Sequence, residues 1–226
     1  MKQLALGVCI AANISLVHAA PSCASFPSAP NSRVVVVAED MVVNGVPMSA
    51  SELHSKQSPT DVMRFYRGEW ESRSQRVLET NEGEWKTLAT KDGNCFFTAQ
   101  IKAGVDSGTY ALLGVTQLVT GTPKARGEGF PKLGGSTVYN DIVSKDMGKT
   151  GRTLLMTNKF SVDANASFYR NAMASDGWVS ISDRRGKIEG GTRLVQIWRR
   201  GLEEANLVIG TSADQTSVVA NIVDRP

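Results

Sequence analysis

Short apolar segments separated by glycine-containing turns run through this chain and occur in two similar sets. The clearest match is Phe65-Tyr66-Arg67, which returns as Phe168-Tyr169-Arg170, 103 residues later (65 to 168). The same spacing places Gly45 on Gly148, so the segments before the tripeptide align without gaps. Similarity at one fixed spacing is typical of repeated structural units. We therefore predict that the chain contains two copies of one small module.

Each copy is predicted to form two strands, a helix and an antiparallel meander. The predicted strands are residues 34–37, 48–53, 85–90, 95–101 and 109–118 in the first copy, and 138–143, 153–160, 178–181, 192–198, 205–209 and 217–223 in the second. After the tripeptide the copies slip, which we interpret as an insertion at residues 71–80 of the first. The predicted fold class is α+β, with two tandem two-layer modules, each β-β-α-β-β-β with one helix packed on an antiparallel sheet.

Hydroxyl and acidic residues mark the start of the predicted helix. Ser58 supplies an N-cap hydroxyl, Pro59 fits the first helical position, and Asp61 places an acid in the first turn. Ser161 and Asp163 occupy the matching positions of the second copy. Apolar residues then recur on one helix face. The predicted core anchors of the two helices are Phe65, Tyr66, Phe168 and Tyr169.

The first residues have the composition of a secretory signal. Lys2 provides a positive charge, residues 4–17 form an apolar stretch too short to span a bilayer, and cleavage is expected after Ala19. We therefore predict a periplasmic protein that is exported by a cleavable signal peptide. The predicted domains are a signal peptide (1–19), a first α+β module (20–119), a Gly/Pro-rich linker (120–135) and a second α+β module (136–226).

Cysteine usage agrees with export. Two cysteines, Cys23 and Cys95, follow the predicted signal peptide. An even pair in an oxidising compartment favours a disulfide, and closing a loop of this length stabilises a fold by about 4 kcal/mol in the chain-entropy model. Lipid attachment at Cys23 and two free thiols are the alternatives.

The chain offers few residues for catalysis or metal binding. His54 is the one histidine after the predicted signal, and its place before the helix favours a solvated strand-end residue. Metal sites usually need several His or Cys ligands, so we predict no metal and no cofactor. Two carboxylate pairs, Glu82 with Glu84 and Glu203 with Glu204, fall at predicted turns, which favours solvated acids over a glycosidase pair. We therefore predict that the protein is not an enzyme.

Charge adds one candidate surface. The net charge of +3 is too small to predict binding to nucleic acid. Basic residues nevertheless collect at predicted turns of the second copy and would form an anion-binding patch if the hairpins bring them together: Arg184, Arg185, Lys187, Arg199 and Arg200. Such a patch would bind an acidic partner or contact an anionic membrane surface at its periphery.

Three motifs resemble those of uncharacterised exported proteins of Gram-negative bacteria. They are Asp40-Met41-Val42-Val43-Asn44-Gly45, Phe65-Tyr66-Arg67 and Thr216-Ser217-Val218-Val219-Ala220-Asn221. The resemblance extends over nearly the whole mature chain. It implies a periplasmic location and a duplicated α+β module, and it implies no activity or binding residues.

Taken as a sequence, the chain favours a non-catalytic periplasmic interaction module, an accessory to an envelope assembly or secretion machine with an envelope protein as partner. Open antiparallel sheets have edge strands that can bind such a partner by strand addition. One alternative is a lipid or small-ligand binding protein with a cavity beneath Phe168 and Tyr169. Another is a hydrolase of envelope polymers that uses Glu82 and Glu84.

Overall fold

The computed structural model describes residues 23–105, 108–119, 121–146, 148–188, 191–212 and 214–224. The predicted signal peptide (1–19) lies outside these residues. The elements are β1 (Ser32–Val43), β2 (Val46–Ser55), α1 (Pro59–Ser72), β3 (Val77–Glu82), β4 (Trp85–Asp92), β5 (Cys95–Ala103), β6 (Thr109–Gln117), β7 (Thr137–Asp146), β8 (Lys149–Asn158), α2 (Val162–Ser175), β9 (Val179–Ile188), β10 (Gly191–Arg200), β11 (Glu203–Ser212) and β12 (Gln215–Asp224). Neither of these two helices is long and apolar enough to cross a membrane.

The strands form one antiparallel sheet. Its order is β3-β4-β5-β6-β2-β1-β7-β8-β12-β11-β10-β9, so β3 and β9 are the outer edges. Each half of the chain contributes six neighbouring strands and one helix. The halves meet where residues 40–43 of β1 pair with residues 142–145 of β7. This junction involves the ends of two hairpins rather than whole strands.

The predicted α+β fold of two tandem two-layer modules is wrong. The protein is mostly β, and the strands of both halves continue through β1 and β7 into a single twelve-stranded sheet. The module order β-β-α-β-β-β also omits β3 of the first half, whereas the four strands predicted after the second helix correspond to β9, β10, β11 and β12. Apolar periodicity identifies strands within each copy, but it carries no information about which strands pair between copies.

The interpretation of residues 71–80 as an insertion is also wrong. Helices α1 and α2 begin and end 103 residues apart (59 to 162 and 72 to 175), and β3 and β9 begin 102 apart (77 to 179). The supposed insertion therefore contains the end of α1 and most of β3. An outer strand buries few side chains, and β3 (VLETNE) accordingly lacks a regular apolar pattern.

Two clusters of buried side chains lie beneath the two helices. Helix α1 packs on β3 to β6, and its cluster includes Tyr66, Trp70 and Leu88. Helix α2 packs on β9, β10 and β11, and its cluster includes Tyr169 and Trp198. The strand register places both clusters on the same face of the sheet. No described helix covers the opposite face.

The predicted helix starts and turns are confirmed. Ser58 Oγ accepts a hydrogen bond from the N–H of Asp61 (3.2 Å), and Ser161 Oγ accepts one from the N–H of Ala164 (3.1 Å). The turn glycine Gly45 has a φ of +82°, a backbone conformation that residues with a side chain rarely adopt.

Candidate functional site

Strand β1 has an unpaired edge near the middle of the sheet. It pairs with β2 along its length, but only residues 40–43 pair with β7, so residues 32–39 have no strand on their other side within the described chain. Val34, Val36 and Val37 in this stretch are 42%, 54% and 60% exposed. Backbone N–H and C=O groups on such an edge can pair with an added strand. We call residues 32–39 the open edge.

A cleft of about 540 Å³ with a mixed apolar and polar lining lies beside the open edge, on the helix-bearing face of the sheet. Its floor includes Val34 and Val36 of the open edge and Leu113 and Val115 of β6, which the strand register places on one face. Its opposite wall comes from the N-terminal segment, residues 23–28. The volume falls within the range of roughly 300–1,000 Å³ that is usual for ligand pockets.

The charge at the cleft is acidic. Among the described residues that line it, Glu39 and Asp40 are the only charged ones. Asp40 lies 3.8 Å from Lys145, and both side chains are mostly exposed. A cationic group placed at this end of the cleft would be attracted by both carboxylates.

A disulfide holds the wall of the cleft in place. Cys23 and Cys95 are bonded across a sequence separation of 72 residues, which confirms the predicted pairing. Phe26 of the same segment stacks edge-on against Tyr66 and Phe97, with ring centroids 5.7 and 5.6 Å apart. The segment is therefore anchored both covalently and by packing on the first cluster.

In the second half the chain itself covers the corresponding edge. Residues 137–141 of β7 extend beyond its pairing with β1. The predicted linker packs against the second half: Arg126 Nη1 donates a hydrogen bond to the carbonyl oxygen of Tyr139 (3.3 Å), and Phe130 is buried in the second cluster. In the first half Phe26 packs on Tyr66 as Phe130 packs on Tyr169, but among the described residues nothing donates a matching hydrogen bond to the open edge.

Asp141 fastens this covering segment. Its carboxylate accepts hydrogen bonds from the N–H of Gly127 (2.7 Å) and from Arg152 Nε and Nη2 (2.9 and 2.8 Å). Its backbone also bonds to Asn44 in the turn of the first half. Partial burial raises the pKa of Asp141, but the hydrogen bonds from Arg152 and Gly127 outweigh burial, so the net pKa lies below its usual value.

Aromatic and charged side chains gather on the face opposite the helices. Tyr110 Oη donates to Glu52 Oε1 (3.0 Å), and the His54 ring lies 5.3 Å from the Tyr110 ring. Lys102 Nζ lies 4.6 Å from the centre of the Trp85 ring. The hydrogen bond to Glu52 raises the pKa of Tyr110. His54, predicted to be a solvated strand-end residue, is part of this group, and its side chain is 52% exposed.

The residues of the predicted anion-binding patch lie on β9 and β10, but their side chains point to opposite faces of the sheet. The register places Arg184 and Arg199 on the face opposite the helices and Arg185 on the helix-bearing face. The side chain of Lys187 lies outside the described part of the structure. Three of the arginines are ion-paired: Arg185 with Asp163, Arg199 with Glu204 (3.8 Å) and Arg200 with Glu203 (2.9 Å). Arg200 also stacks on Trp178, 4.5 Å from its ring centre.

The predicted core anchors lie in the two clusters. Tyr66 and Tyr169 are fully buried, and burial raises the pKa of each phenol. Phe65 and Phe168 are partly buried against the same clusters. The aromatic residues of the two tripeptides therefore pack in the protein core and do not face a ligand site.

The predicted carboxylate pairs do not form a shared site. Glu84 pairs with Lys102 Nζ (2.7 Å), whereas Glu82 ends β3. Glu203 and Glu204 pair with Arg200 and Arg199 of the neighbouring strand, as described above. Within the described ranges, no group of three or more His, Cys, Asp or Glu side chains is placed to hold a metal ion.

The open edge and its cleft are features that the sequence reasoning missed. The open edge contains four consecutive valines, Val34 to Val37, which suit a strand buried on both faces. In the structure three of them are substantially exposed. The four valines by themselves indicate a buried strand, so the sequence offered no signal for the open edge.

No family model matches the chain, and no curated protein matches it. Two solved structures are similar to it. The apo structure of the immunity protein TplEi of T6SS from Pseudomonas aeruginosa is 11% identical, with a TM-score of 0.32 over 87% of this chain and 83% of that chain. TplEi complexed with "L" peptide is 10% identical, with a TM-score of 0.23 over 84% of this chain and 81% of that chain. At these TM-scores the likeness carries no conclusion about the activity of this chain.

Proposed function

We propose that this protein is a periplasmic, non-catalytic interaction module that binds an extended segment of an envelope protein by strand addition at the open edge. The observation that carries the proposal is the unpaired backbone of residues 32–39 beside a cleft with a mixed apolar and polar lining. In strand addition, main-chain hydrogen bonds supply affinity, and pockets for alternate side chains supply specificity. The open edge offers backbone groups for main-chain hydrogen bonds, and the cleft offers a pocket for alternate side chains.

The energetics favour an occupied edge. Exposed apolar edge strands promote unwanted pairing, and proteins usually protect them with charges, proline or a covering segment. Val34, Val36 and Val37 are exposed and have no covering segment within the described chain, and the protection beside them is limited to Arg33, Glu39 and the register shifts of β1, whereas a covering segment lies against β7. A partner strand on the open edge would pair its backbone groups and bury the valine side chains.

Two features support export. The signal-like composition of residues 1–19 matches a secretory signal peptide, and disulfides persist mainly in oxidising compartments. The Cys23–Cys95 bond also orders one wall of the cleft, so an oxidising compartment would favour the binding-competent form.

Neither alternative function gains a supporting observation. Tyr169 is fully buried and Phe168 packs against the same cluster, which does not favour a lipid cavity beneath them. Glu84 is engaged by Lys102, which does not favour a hydrolytic pair with Glu82.

Photocrosslinking in intact cells tests the proposal. A photoreactive amino acid at Val37 should give one discrete adduct with another envelope protein. The matched control at Leu202, an exposed turn residue between β10 and β11, should give none. Val36→Lys in the position-37 protein should remove the adduct, because a charge on an edge strand opposes pairing. Equal adducts at both positions, no adduct at position 37, or an adduct that survives Val36→Lys would overturn the proposal.

A further inference from the structure

We infer that the segment bound at the open edge combines apolar residues at alternate positions with an arginine or lysine at one end. This inference rests on the proposed function and names the chemistry of its partner. Three observations carry it: the charge of the cleft, the orientation of its side chains, and the segment that covers β7.

The first observation is the one-sided charge of the cleft. Glu39 and Asp40 lie together at one end of its lining, and the described lining residues include no lysine, arginine or histidine. Glu39 forms no ion pair within the described chain, and the Asp40–Lys145 pair is long and exposed, so it holds Asp40 weakly. A bound cation would therefore meet two nearly free carboxylates.

The second observation is the alternation of the open edge. Successive side chains of a strand point to opposite faces, and Val34 and Val36 both point into the cleft. The register of β1 is regular over residues 32–36 and shifts twice between Val36 and Met41, so a strand added beside residues 32–36 would place every second side chain at the mouth of this cleft. Its floor combines Val34, Val36, Leu113 and Val115 with Ser49 and Ser51, and the valine and leucine side chains favour aliphatic groups at those alternate positions.

The third observation is the contact that the protein makes with its own β7 edge. The covering segment holds that edge through a basic residue, Arg126, which donates to the carbonyl oxygen of Tyr139. Four residues later it inserts Phe130 into the apolar cluster. In the first half Phe26 of the chain's own N-terminal segment already packs on Tyr66 as Phe130 packs on Tyr169, so the contact left for a partner strand is the basic one.

Fluorescence anisotropy with defined peptides tests the inference on the full mature chain. The probe is a labelled nine-residue peptide with valine at alternate positions and arginine at both ends, and its matched control has glutamate at both ends. We expect the arginine peptide to bind at least ten-fold more tightly in low salt. A Glu39→Gln and Asp40→Asn double variant should reduce this preference to less than two-fold, and added salt should have a similar effect.

The outcomes separate the inference from the proposed function. Equal binding of both peptides would overturn the inference and leave strand addition in place. Binding of neither peptide, with the photocrosslinked adduct at Val37 still present, would also overturn the inference alone. If neither peptide binds and no adduct forms, the inference and the proposed function both fail. An arginine preference that persists in the double variant would place the cation elsewhere and overturn the assignment to Glu39 and Asp40.

Discussion

At the residue scale, Asp141 shows how one partly buried carboxylate can hold a covering segment in place. It accepts hydrogen bonds from Arg152 and from the backbone of Gly127, and its own backbone bonds to Asn44 of the other half. The side chains of Asp141 and Arg152 are only 12% and 25% exposed, so water screens their interaction less than that of a surface pair.

We expect Asp141→Asn to lower the free energy of unfolding by about 2 kcal/mol at pH 7, because it weakens charge-assisted hydrogen bonds. Denaturant unfolding followed by circular dichroism measures the change. Asp40→Asn is the matched control, since its pair with Lys145 is long and exposed, and it should cost less than about 0.5 kcal/mol. Equal effects of the two substitutions would contradict this account.

The same carboxylate makes stability depend on pH. The folded-state pKa of Asp141 lies below the unfolded value of about 3.9, so its contribution is complete above that value and is lost as the pH falls through the folded pKa. The stability difference between the native protein and Asp141→Asn should therefore shrink below about pH 4. A difference that stays constant down to pH 3 would show that the substitution acts through packing instead.

Local sequence signals correctly predicted the structural roles of several residues. Ser58 and Ser161 cap their helices because a short hydroxyl side chain before a helix can satisfy an exposed N–H. The Cys23–Cys95 pairing followed from counting the cysteines. The ion pairs of Arg185 and Arg199 were not predictable, because they depend on how β9 and β10 lie against α2 and β11.

At the element scale, the N-terminal segment and β5 act as one unit through their disulfide. We expect a Cys23→Ser and Cys95→Ser double variant to lower the free energy of unfolding by about 4 kcal/mol, because the bond closes a long loop in the unfolded chain. Reduction of the native protein should reproduce the effect under the same denaturant. A change below about 1 kcal/mol would mean that Phe26 packing alone holds the segment.

The outer strands show where sequence patterns fail. Strand β3 (VLETNE) has solvent beside its outer edge, so most of its side chains are polar and its pattern resembles a loop. Inner strands such as β6 alternate buried and half-buried positions, and apolar periodicity predicts them well. The candidate site could not be predicted because it depends on where β7 stops pairing with β1.

At the scale of the whole molecule, one sheet joins two separate clusters of buried side chains. The junction includes the four residue pairs between β1 and β7, the ion pair of Asp40 with Lys145 and the bonds between Asn44 and Asp141. Few apolar side chains are buried at this junction compared with those beneath each helix. We therefore expect the two halves to unfold as separate units.

Matched core substitutions test this independence. Leu88 and Leu207 are both fully buried, one in each cluster. We expect Leu88→Ala and Leu207→Ala each to lower the free energy of unfolding of the half that contains it by about 2–5 kcal/mol. Differential scanning calorimetry should show two transitions, with each variant lowering a different one. A single transition that both variants shift together would contradict independent unfolding.

The central claim is that the open edge accepts a strand, and hydrogen exchange of the backbone amides tests it most directly. With the arginine-containing peptide bound, amides within residues 32–39 that do not bond to β2 should exchange at least ten-fold more slowly, because the added strand supplies their acceptors. The amides of β3 and β9 should keep their exchange rates. Binding that leaves residues 32–39 unprotected, or that protects β3 or β9 instead, would contradict the account.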